Sequence, residues 1–89
     1  MSALELRVTA QRALNQIKKT DRGFVRASIP GVVMAARQDA TSVIVFRRKG
    51  DVVGMEVWPG SRPRCKGGVQ RFDLPADLQR QAGELLDAL

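Results

Sequence analysis

The sequence contains no histidine, no tyrosine and a single cysteine, Cys65. Without histidine, the commonest general base and metal ligand is missing. One thiol and no imidazole exclude the usual zinc sites and any Cys–His nucleophile pair. A lone cysteine cannot close an internal disulfide either, which points to a reducing, cytoplasmic compartment. Long apolar runs are absent as well. The longest, residues 32–36, is far short of the ~18 needed to span a bilayer. Residues 1–7 include Glu5 and Arg7 and no apolar run, so no secretory signal is predicted. Aromatic residues are scarce: three phenylalanines and Trp58 are the whole supply.

Recognisable catalytic patterns are equally missing. Lys66-Gly67-Gly68 is the nearest approach to a phosphate-binding glycine motif, but it lacks the strand–glycine–helix context such motifs need. The carboxylates are scattered, with no pair spaced for acid–base work or for Mg²⁺. Cys65 lies between Arg64 and Lys66, a setting that favours thiolate, yet no base stands by to use it. The expectation is a protein that is not an enzyme and needs no cofactor and no metal.

What remains is a small folded domain. With 89 residues and 44% hydrophobic content, the chain suits one globular domain over 1–89. At this size about two-thirds of the unfolded surface is buried, so each element has to contribute. Ser2 and Glu5 have capping-box spacing. Leu6, Ala10, Ala13, Leu14 and Ile17 then recur at offsets of 0, 4, 7, 8 and 11, the apolar stripe of a helix. Lys18 and Lys19 fall in its last turn and Gly23 ends it. A competing strand reading exists at the start, where Leu4, Leu6 and Val8 alternate with Glu5, Arg7 and Thr9.

The C-terminal segment has the same logic. Asp73 is expected to cap it, Pro75 suits its first turn, and Leu78, Ala82, Leu85, Leu86 and Leu89 repeat the stripe offsets. Between the helices the patterning turns to β. Lys49-Gly50 separates runs 42–48 and 51–58, and a two-residue turn there pairs Arg48 with Asp51, Phe46 with Val53, Ile44 with Met55 and Ser42 with Val57. One face of this hairpin carries Ile44, Phe46, Val53, Met55 and Val57. The other carries Val43, Val45, Arg47, Val52, Gly54, Glu56 and Trp58. Pro30-Gly31 similarly joins runs 24–29 and 32–37, with Met34 and Ala36 on the apolar side. The expected fold is therefore α+β. An N-terminal helix, a four-stranded antiparallel meander and a C-terminal helix follow in order (α-β-β-β-β-α), with the helices mainly on one face of a single sheet. Residues 69–72 offer a short fifth strand, and 59–68 an exposed basic loop.

The net charge of +6 is uneven. Residues 1–72 hold fourteen cations against five acids, and residues 73–89 one cation against four acids. The last helix is thus acidic. The cations gather instead at three connections: Lys18, Lys19 and Arg22; Arg47, Arg48 and Lys49; Arg62, Arg64 and Lys66. Arginine outnumbers lysine eleven to four, which suits phosphate because guanidinium binds it bidentately. These nine residues are the candidate contacts to nucleic acid or to an acidic protein partner. Phe24, Val43, Val45, Val52 and Trp58 make the outer sheet face unusually apolar, a candidate interface for a partner or a homodimer.

The order helix–strands–helix resembles double-stranded-RNA-binding domains and other small nucleic-acid modules in topology. The lysine-rich turn that opens the last helix of the double-stranded-RNA domain is replaced here by Asp73 and Asp77. Two functions are therefore expected. The first is nucleic-acid binding through the hairpin tip and basic loop. The alternative is a protein-interaction module, such as a bacterial or phage accessory or inhibitor protein, working through the outer face. Neither involves a membrane.

Overall fold

The computed structural model describes residues 1–19, 34–39, 42–59 and 68–88. In chain order they form α1 (Ala3–Lys19), β1 (Met34–Asp39), β2 (Ser42–Lys49), β3 (Val52–Pro59), β4 (Gln70–Asp73) and α2 (Ala76–Asp87). The strands make one antiparallel sheet in the order β1-β2-β3-β4. The chain is thus an α+β meander with a helix at either end. The strand expected at 24–29, its Pro30-Gly31 turn, Gly23 and Leu89 lie outside the described residues. The optional segment at 69–72 supplies β4.

α1 begins where the side chain of Ser2 accepts a hydrogen bond from the Glu5 backbone N–H at 3.1 Å, satisfying one of the orphan donors of a helix start. The strand alternative fails because a helix buries Ala10, Ala13, Leu14 and Ile17 together while leaving Leu4 and Val8 exposed. α2 buries Leu78, Ala82 and Leu86. Both stripes meet the same face of the sheet. With Met34, Ala36, Ile44, Phe46, Val53, Met55 and Leu74 they form one core, and Leu6, Val57, Phe72 and Leu85 pack at its margin. Burying side chains of the size of Phe46, Leu14 or Ile44 contributes roughly 1.5–3 kcal/mol each. Alanine at 10, 13 and 82 lets the helices come close, and larger residues there would overpack the core.

Two details depart from the sequence reading. Asp73 does not cap α2, because its pairing with Gly54 keeps it extended at the end of β4. The N-cap position falls to Pro75, whose ring carries no hydrogen-bonding group, so no side chain caps the helix; separately, the Gln79 side-chain amide donates to the Leu74 carbonyl at 2.9 Å. The β2–β3 register is also two residues from the expected one. Lys49 pairs with Val52, Arg48 with Val53, Phe46 with Met55 and Ile44 with Val57. The turn is Gly50-Asp51, with φ of +60° at Gly50 and none of the non-glycine residues described at positive φ, the sign pattern of a type II′ turn. Glycine at the first central position of that turn is what moves the turn along by one residue. A slip of two preserves which side chains face the core, whereas a slip of one would have inverted them.

Candidate nucleic-acid interface

Arg47, Arg48 and Lys49 are consecutive on β2, so the period of two divides them. Arg48 points to the helix side. Its Nη2 donates to the Gly83 carbonyl at 3.2 Å and pairs with Asp87 Oδ1 at 2.9 Å. Arg47 and Lys49 face the opposite way, onto the side of the sheet where neither helix packs. Lys18 and Lys19 end α1 in the helix layer, and the Lys18 ammonium donates to the Gln81 side-chain carbonyl at 3.0 Å. The cations of the hairpin-tip cluster are thus divided between the two sides of the sheet. Arg22, Arg62, Arg64 and Lys66 lie outside the described residues, as do Phe24 and Cys65.

The face on which neither α1 nor α2 packs, helix-free among the described residues, is organised around Glu56 on β3, a carboxylate only 4% exposed. It stands across from Val45 on β2 and from Arg71 on β4. Its Oε1 accepts a hydrogen bond from Trp58 Nε1 at 3.0 Å. Its Oε2 lies 3.2 Å from Arg47 Nε and 3.6 Å from Arg71 Nε. The Arg47 contact is an ion pair without hydrogen-bond alignment, and that buried nitrogen has no hydrogen-bond partner. Desolvating the carboxylate is costly, and the two guanidiniums and the indole N–H offset that cost. Two cations sharing one anion leave one positive charge over, on a cluster whose Arg71 side chain is 66% exposed.

Beside this cluster is a shallow groove of about 180 Å³, bordered by Arg47, Lys49, Val52, Glu56, Arg71 and Asp73. Gly54 opens it. A Cβ at that position would meet the Phe72 carbonyl at an ordinary 3.6 Å, so close packing does not demand glycine, and the missing side chain leaves space between Arg47 and Asp73. Along the same face Ala35 and Val45 form a small apolar cluster with Val43 and Trp58 packed against it. Val45 is buried to 1% exposure while Val52 is 49% exposed. The outer-face valines are therefore of two kinds, Val45 buried in the structure and Val52 exposed.

Glu56 and Arg71 did not stand out in the sequence. The signal for them is alternation along 69–72 combined with the β3–β4 register, and that register joins residues separated by a connection outside the described residues. Among the described residues no three histidine, cysteine, aspartate or glutamate side chains gather where a metal ion could be held. Among them, too, no helix is long and apolar enough to cross a membrane.

The sheet face away from α1 and α2 thus brings two arginines onto one buried carboxylate beside a groove. No protein-family model matches the chain, and neither a curated protein nor a solved structure matches it. The functional reading rests on the site itself.

Proposed function

We propose that this chain is a small non-enzymatic nucleic-acid-binding protein that engages the phosphate backbone on the helix-free face of its sheet. The observation that carries this reading is the groove bordered by Arg47, Lys49 and Arg71, where two arginines share the one buried carboxylate of Glu56. The three cations of the groove outnumber its two carboxylates, Glu56 and Asp73, by one; that surplus attracts phosphodiester oxygens, and each phosphate neutralised releases condensed counterions. Segments 20–33 and 60–67 hold five cations and one acid, a surplus of four within the chain's +6. Arg22, Arg62, Arg64 and Lys66, which belong to those segments, remain candidate phosphate contacts by their charge alone. Arg48, engaged by α2, is not among them.

A salt titration tests the reading. Labelled single- and double-stranded DNA and RNA are titrated by fluorescence anisotropy at about 50 and 200 mM salt, where several phosphate contacts cause a steep fall in affinity. The triple variant Arg47→Ala/Lys49→Ala/Arg71→Ala binds more weakly, and its log–log salt slope is smaller by about two to three. No binding to any of the four ligands at about 50 mM salt overturns the proposal.

The second reading, an acidic protein partner or a second copy on the same face, is favoured by the exposure of Val52 beside these cations. It requires association that Val52→Asp abolishes and that nucleic acid does not compete away. A protein sedimenting as an unaltered monomer, alone and with candidate acidic partners, counts against it.

A further inference from the structure

We infer that the nucleic acid taken by this face is single-stranded, with one base stacked on Trp58 and the adjoining phosphates running along β3 into the groove at Gly54. This rests on the nucleic-acid reading above and specifies its ligand. Trp58 is the only tryptophan in the chain. It is partly buried against the Ala35–Val45 cluster, and the Glu56 carboxylate fixes its ring by a 3.0 Å bond. An indole held this way meets a base without first losing rotamer freedom, so less binding energy goes into ordering it. Trp58 and Gly54 lie on the same face of one strand, four residues apart, which the strand rise makes about 13 Å. That distance lets one short stretch of extended strand reach both the ring and the groove cations, the stacking platform and basic track that single-strand binders combine.

Duplex fits this molecule poorly. Its bases are already stacked on one another and offer Trp58 no open face. On this face neither α1 nor α2 is available to enter a groove, because both pack on the other side of the sheet, and there α2 opens with Asp77, paired to Arg7 at 2.8 Å.

The experiment follows Trp58 emission and anisotropy while the whole chain is titrated with a 12-nucleotide single strand and with the matching duplex, at about 50 mM salt. The single strand is expected to bind at least tenfold tighter and to quench Trp58. Trp58→Leu loses on the order of tenfold in single-strand affinity while Trp58→Phe keeps most of it, both variants first being shown to melt cooperatively. If duplex binds as tightly as single strand and Trp58 emission does not change, the single-strand inference is wrong and backbone binding stands. If Trp58→Leu folds and binds the single strand as well as the parent, the stacking role is wrong. If neither ligand binds, both proposals fall together.

Discussion

Glu56 and Trp58 stand two residues apart on the helix-free face of β3, and the indole Nε1 donates to the Glu56 carboxylate at 3.0 Å. Because the other oxygen of that carboxylate lies against Arg47 and Arg71, one buried anion fixes the ring and gathers the cations.

Removing that anion is expected to destabilise the fold. Glu56→Ala leaves the Trp58 N–H and the Arg47 guanidinium without their partner and costs about 2 kcal/mol in urea unfolding. Glu56→Gln keeps an acceptor for the indole and costs less. Equal losses for the two variants, or none, contradict the arrangement.

Arg47 and Arg48 are neighbours in sequence with different expected phenotypes. Arg48→Ala forfeits the Gly83 and Asp87 contacts, lowers stability by about 1 kcal/mol and leaves oligonucleotide affinity nearly unchanged. Arg47→Ala also costs stability, because it takes a guanidinium from the buried Glu56 carboxylate, but unlike Arg48→Ala it weakens oligonucleotide binding and reduces its salt slope. A reversed pattern in paired denaturation and anisotropy measurements would place the binding surface on the helix side.

The valines of the outer face separate in the same way. Val45→Asp puts a charge at a site 1% exposed and is expected to cost more than 3 kcal/mol or to prevent folding. Val52→Asp, at a site 49% exposed, stays within about 0.5 kcal/mol of the parent. Thermal melts of the two proteins are the check.

Gly54 trades stability for space. Gly54→Ala finds an ordinary contact at 3.6 Å and is expected to stabilise the strand by about 0.5 kcal/mol. Gly54→Val narrows the groove and weakens oligonucleotide binding. A valine variant that binds like the parent removes the groove from the interface.

The Arg7–Asp77 bridge predicts a small acid effect. The hydrogen bond from the Arg7 guanidinium, aided by that residue's charge and by the Asp77 and Leu78 backbone N–H groups, holds the Asp77 carboxyl below the usual range against an opposing desolvation. A carboxylate depressed in the folded state contributes stability above its unfolded value, about pH 4, and loses it as pH falls through the folded value. Arg7→Met should move the Asp77 titration, followed by NMR, up toward the unperturbed range. Both side chains are about half exposed, so the gain is slight and screened by salt.

The sequence by itself determined what its periodicities encode. Stripes at 3.6 residues selected the buried faces of α1 and α2, and alternation selected Ile44, Phe46, Val53 and Met55 for the core. These assignments withstood a two-residue error in register, because side-chain direction repeats every two residues. The end of β4 was not legible in the same way. Asp73 looks like a helix cap by local chemistry, and only its ladder partner Gly54 keeps it in a strand. Tertiary structure alone decided which charges converge. Arg71 joins Arg47 through the β3–β4 pairing, Arg48 is drawn off to Asp87, and Arg7 meets Asp77 across the two helices. Periodicity is a local property that a chain carries along its length, whereas a binding surface is set by pairings between distant residues, and those exist only once the sheet has formed.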